Sequence, residues 1–155
     1  MYPHMDEYDA QDLKESNILM GDGSKAKFYS TYKPNVVKKH FEWMRDYGIS
    51  GVFHMRFMSS INIKNNYDWK TSVLRNVRAA AESTGRVFAV SYNIAGNDLD
   101  DNVLDDLKND WIDLVDNENV TSSGRYIHHN GLPVLRVYGI GFKTVSHFIT
   151  TLKQG

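Results

Sequence analysis

A chain of 155 residues with a net charge of −1, 24% charged residues and no cysteine is long enough for one domain with a real core. Its balanced charge lacks the basic surplus that nucleic acid or an anionic membrane surface calls for, and without cysteine neither disulfides nor thiolate chemistry is possible. No apolar run approaches the ~20 residues of a membrane span, and the polar, acidic opening Met1-Tyr2-Pro3-His4-Met5-Asp6-Glu7 does not read as a secretory signal.

Residues 1–30 read as a long loop. Tyr2, Met5, Tyr8, Leu13 and Ile18 offer anchors without a period, and Asp22-Gly23-Ser24 is a turn signal. A helix follows over 33–47, with Pro34 in its first turn, Gly48 at its end and Val36, Val37, His40, Phe41, Met44 and Tyr47 on one stripe. His40 on that stripe reads as a core-edge histidine. The run Gly51 to Phe57 predicts a strand, with Phe53, Met55 and Phe57 on one face and Val52, His54 and Arg56 on the other.

A second helix is expected over 68–83, with Trp69, Val73, Leu74, Val77, Ala80 and Ala81 inward. A strand follows over 87–94, with Phe88, Val90, Tyr92 and Ile94 opposite Val87, Ala89, Ser91 and Asn93. A third helix, over 101–116, turns Val103, Leu104, Leu107, Trp111, Leu114 and Val115 inward. A loop over 117–131 leads to a strand over 133–138, and a short helix over 144–152 closes the chain. Strands alternating with helices imply a parallel sheet joined by crossovers. Three such units are either a small open α/β fold or part of a (β/α)8 TIM barrel, which needs ~200 residues or more.

In both architectures ligands sit beyond the carboxyl ends of the strands. His54 and Arg56, Ser91 and Asn93, and Arg136 and Tyr138 stand there. If all three pairs look the same way they make a polar pocket suited to hydroxyls and anions. The plainer reading is that His54 or Arg136 pairs with a nearby carboxylate for structural reasons. No acid lies on these strand ends. Asp98, Asp100 and Asp101 follow the second strand, where Asp100 and Asp101 suit a helix start, and Asp6, Glu7 and Asp9 lie in the first loop. Gly139-Ile140-Gly141 lacks the third glycine of a dinucleotide fingerprint, Thr144 standing in its place. His128-His129 has no supporting ligand spacing, so neither metal nor cofactor is expected. Asn119-Val120-Thr121 is a glycosylation sequon, usable only on export.

Several stretches resemble one family in order and spacing. They are Tyr2-Pro3-His4-Met5-Asp6-Glu7-Tyr8-Asp9, His40 to Ile49 leading into Gly51-Val52-Phe53 and Arg56-Phe57, Arg75 to Ala81, Gly85 to Ala89 and Tyr92-Asn93-Ile94-Ala95-Gly96. Asp110-Trp111, Tyr126, His128-His129-Asn130-Gly131, Pro133-Val134 and Gly139 to Phe142 continue the series. Together they resemble glycoside hydrolase family 71/99-like proteins of xylosidase/arabinosidase type, over residues 1–142, with 143–155 a divergent tail. The resemblance implies a (β/α)8 barrel that hydrolyses O-glycosidic bonds in a polysaccharide or glycan. It also implies that these residues are a fragment of a longer barrel, in a family often secreted.

Asn93 stands where the family commonly has aspartate; it keeps the hydrogen-bonding shape but does not ionise. The catalytic residues are therefore unknown, while Arg56, Asn93, Tyr138 and His54 are expected to contact a sugar. Two alternatives stand beside hydrolysis: a non-catalytic carbohydrate-binding or degenerate protein, and a small open α/β domain that binds a phosphorylated ligand at its strand ends.

Overall fold

The computed structural model describes residues 7–61, 64–95 and 102–139. They form a mixed α/β structure with one three-stranded parallel sheet, two small antiparallel ribbons and three α-helices. In chain order these are strands β1 (Leu13–Leu19) and β2 (Lys25–Tyr29), helix α1 (Pro34–Asp46), strand β3 (Gly51–Phe57), helix α2 (Lys64–Thr84), strand β4 (Val87–Asn93) and helix α3 (Val103–Asp116). Strands β5 (His128–His129), β6 (Leu132–Pro133) and β7 (Leu135–Tyr138) complete it.

Helix α1 starts with proline in its first turn, where the fixed φ suits the helix and the missing N–H is not needed. It buries Val36, Val37 and Phe41. Its end is a paired cap: Gly48, at φ +73, donates to the Arg45 carbonyl and Ile49 donates to that of Met44 at 2.7 Å. Helix α2 buries Lys70, Val73, Leu74, Val77, Ala80 and Ala81, a stripe at helical spacing, and packs on α1. It starts at Lys64, a turn earlier than its apolar pattern suggests.

The parallel sheet has the order β3-β4-β7. Its central strand is buried from Phe88 through Tyr92 between its two neighbours. The approach of β3 to β4 requires glycine at position 51, where an added Cβ would meet the Val87 carbonyl oxygen at 1.9 Å. At the other end of the sheet Gly139, at φ +100, leaves room for Ala95, whose nitrogen would sit 2.6 Å from an added Cβ.

The first thirty residues depart from the expected long loop. Leu13–Leu19 and Lys25–Tyr29 pair as an antiparallel ribbon around a turn at Asp22 to Ser24, where the Asp22 carboxylate accepts from the Ser24 N–H at 2.9 Å. The last strand also differs from its expected range. Leu132–Pro133 pairs back on His128–His129, and the strand that joins the sheet starts at Leu135. Beside β4 the third strand position is held by two pieces. Phe88 pairs with Tyr126, Arg125 and Ile127 bonding its N–H and carbonyl, while Val90 to Asn93 pair with β7. The Tyr126 hydroxyl joins the pieces, accepting from the Val90 N–H at 3.2 Å and donating to the Val134 carbonyl at 2.9 Å. The expected helix over 144–152 lies outside the described residues.

Candidate functional site

Register decides which side chains meet. Phe53 stands beside Ala89; Met55 beside Ser91 and Arg136; Phe57 beside Asn93 and Tyr138. In-register partners of a parallel sheet share a face. On the two flanking strands side chains of this first face reach solvent, Phe53 at 47%, Phe57 at 47% and Tyr138 at 43% exposed, while Ala89 and Ser91 between them are buried. The opposite face sets Val52, His54 and Arg56 beside Phe88, Val90 and Tyr92, against the helices.

The sheet therefore corrects the expectation of one pocket built from all three strand ends. Asn93 and Tyr138 share the exposed face with Ser91 and Arg136, but His54 and Arg56 point to the other side. Arg56 is fully buried and grips Asp110 of α3 with two hydrogen bonds, Nε to Oδ2 at 2.9 Å and Nη2 to Oδ1 at 2.6 Å. The Tyr92 hydroxyl donates to the same carboxylate. Burial first, and then the Asp110 charge, pushes the Tyr92 hydroxyl far above its ordinary range, so it stays a donor. The Tyr67 ring lies 5.5 Å from the Arg56 guanidinium, and its hydroxyl donates to Asp113. The expected substrate contact from Arg56 thus gives way to a buried ion pair. Position 110 carried a legible hint: an acid stands between Leu107, Trp111 and Leu114 on the apolar stripe of α3.

His54 is half-buried beside a groove of about 380 Å³ along β3, lined by Val37, Phe41 and Met44 of α1 and Trp69, Lys70 and Val73 of α2. Burial, reinforced by the charges of Arg56 and Lys70, pulls its imidazole down to about 4, so it is neutral at pH 7. His40 is the edge histidine its stripe suggested. It is packed against Tyr8, Tyr29 and Trp43 at centroid distances of 5.9, 5.1 and 5.5 Å. Burial lowers its pKa, and Tyr8, its own hydroxyl pushed up to about 12 by burial, bonds its Nε2 at 2.5 Å. Trp43 donates to Glu7 at 2.7 Å. These contacts fix the segment before the ribbon onto α1.

On the exposed face the polar groups are sparse and directed. The Asn93 Oδ1 accepts from the Ala95 N–H at 2.8 Å, which leaves Nδ2 facing only the Met55 sulfur at 3.6 Å, a weak acceptor. The Arg136 guanidinium lies 5.5 Å from the Tyr138 ring and 5.9 Å from that of Phe53. The Ser91 hydroxyl is buried without a hydrogen-bond partner. None of the described strand residues on this face is acidic. Asp98, Asp100 and Asp101 lie outside the described residues. His128 and His129 are exposed, the former with Nδ1 3.0 Å from the Tyr126 carbonyl, and no cluster of metal-binding side chains occurs among the described residues. No helix among them is long and apolar enough to cross a membrane.

Comparison of the chain with protein-family models, with curated proteins and with solved structures returned no match.

Proposed function

We propose that the exposed face of the β3-β4-β7 sheet binds a carbohydrate, the ligand class implied by the resemblance to glycoside hydrolase family 71/99-like proteins, and that the three strand–helix units belong to a (β/α) barrel of that kind. The observation that carries this reading is the company of Phe53, Phe57 and Tyr138 on one face with Arg136 and with Asn93 at the carboxyl end of β4. Aromatic rings pack against the C–H faces of sugars, while an amide and a guanidinium take the hydroxyls, the mixture expected of a ligand site.

Binding comes before hydrolysis in this reading. Cleaving an O-glycosidic bond usually takes a pair of carboxylates, and the described residues of this face supply none. Asn93 holds a sugar hydroxyl without ionising, so a hydrolytic version of this face needs acids from beyond the described residues.

The test is amide chemical-shift mapping of the chain with xylo-, arabino- and manno-oligosaccharides. Perturbations over 53–57, 91–95 and 136–139 are the expected result. Shifts confined to the groove beside His54 would move the site to the other side of β3, and no shift with any sugar would remove the carbohydrate reading.

A further inference from the structure

Arginines in this chain find oxygen acceptors, with one exception among the described residues. Arg45 pairs with Asp46, Arg56 with Asp110, Arg75 with Glu118 and Arg78 with Glu82. Arg86 and Arg125 donate to the carbonyls of Ile49 and Gly85. Arg136 donates to no described residue; its neighbours are the rings of Phe53 and Tyr138. A guanidinium resting on rings still has its planar fork of N–H donors.

Two further donors stand close by on the same face. Ser91, in register with Arg136, is fully buried and its hydroxyl has no partner. Asn93, one step along the strand toward its carboxyl end, offers Nδ2 beside only a sulfur. A buried hydroxyl without a partner is costly unless something completes it, and an exposed guanidinium resting on rings is free to take an acceptor. Among the described residues no acid stands on this face to compete, and the group that best suits an unpaired guanidinium is an anion. A planar fork matches a carboxylate through two parallel hydrogen bonds.

We propose that the sugar bound on this face carries a carboxylate, as a uronate does, and that Arg136 binds it with the pyranose ring laid on Tyr138. This rests on the carbohydrate reading above and narrows it to acidic sugars. Tyr138 supplies the apolar platform, Arg136 the charge, and the amide of Asn93 reaches a neighbouring hydroxyl.

Isothermal titration of the 155-residue chain tests it, with glucuronate and galacturonate trisaccharides, the neutral trisaccharides of the same linkages, and the corresponding hexose 6-phosphates. The expected result is uronate binding at least about tenfold tighter than the neutral match. Arg136→Gln erases that preference, and Arg136→Lys restores only part of it, because lysine keeps the charge but loses the fork. Each variant is checked for an unchanged unfolding midpoint, as expected for an exposed side chain. Equal affinity for acidic and neutral sugars overturns the inference and leaves the carbohydrate reading standing. So does a uronate preference that survives in Arg136→Gln. Tighter binding of the phosphates than of the uronates overturns the carboxylate assignment in favour of a phosphorylated ligand. Binding of none of the probes overturns both the inference and the reading beneath it.

Discussion

The two faces of one sheet treat charge in opposite ways. Toward the helices, Arg56 is sealed from solvent and held by Asp110, which also takes the Tyr92 hydroxyl. Toward solvent, Arg136 lies on two rings and pairs with no acid among the described residues. Both arginines sit on strands of the same sheet and, as residue types, look alike in the sequence. The difference lies in what faces them. A buried charge persists only with a dedicated partner, so Arg56 ties α3 to the sheet. An exposed, ring-supported charge needs no partner to fold, and is therefore free for a ligand.

The contrast breaks most visibly at Asp110. Asp110→Ala leaves a buried guanidinium and a buried phenol without their acceptor, and the expected loss is about 3–5 kcal/mol. In a domain this size that is a large part of the total stability. Urea denaturation followed by far-ultraviolet circular dichroism measures it; a loss below about 1 kcal/mol would show that the pair is not what holds α3.

On the exposed face the largest expected effect concerns chemistry. Asn93→Asp keeps an oxygen to accept from Ala95 and adds an ionisable group, so stability should move by less than about 0.5 kcal/mol. Where acids from beyond the described residues supply a second carboxylate, glycosidase turnover of oligosaccharides should rise on the order of 10²-fold over the parent, the lower range of general acid–base catalysis. Turnover by the parent equal to that of the variant would mean that the side chain at 93 only orients hydroxyls.

A third effect follows from His54. Its folded pKa of about 4 lies below the ordinary 6.5, so the unfolded chain binds a proton that the folded one refuses. Stability is then fully present above pH 6.5 and is lost as the pH falls toward 4, by on the order of 2 kcal/mol. His40, lowered in the same direction, adds to the slope. Comparing unfolding free energies at pH 7 and pH 4.5 in the parent and in His54→Leu sharpens the contrast: the variant should lose less, and equal slopes would assign the effect elsewhere.

The fourth variant, Tyr138→Ala, should lose only about 0.5–1 kcal/mol of stability because the ring is already 43% exposed. Oligosaccharide affinity should fall in the same variant, by roughly tenfold. A thermal scan beside a titration separates the two. Large destabilisation with unchanged binding would make Tyr138 a packing residue and dissolve the contrast between the faces.

Much of this arrangement was legible in the residues, but unevenly. The stripe of α1 and its glycine stop, the strand Gly51 to Phe57 and the two faces of each strand followed from period alone. The ribbon over 13–29 did not, because Lys14-Glu15-Ser16-Asn17 shows no apolar alternation and both faces of β1 are largely exposed. The site was half legible. Alternation says which residues of one strand share a face, yet whether His54 and Asn93 look the same way depends on register between strands, which no single strand encodes. Arg56 misled for the same reason: its partner lies 54 residues away on a helix.

The splice at Tyr126 has a consequence for how this chain tolerates change in length. Its hydroxyl bridges Val90 and Val134, so the strand pieces on either side of the ribbon over 128–133 are aligned without help from the ribbon itself. Extra residues grafted at the Asn130-Gly131 turn, where both residues already have positive φ, would lengthen an exposed tip and leave Arg136 and Tyr138 where they are. The chain thus carries a natural insertion point beside its candidate site, where reach toward a longer ligand is adjustable while the positions of the binding residues stay fixed.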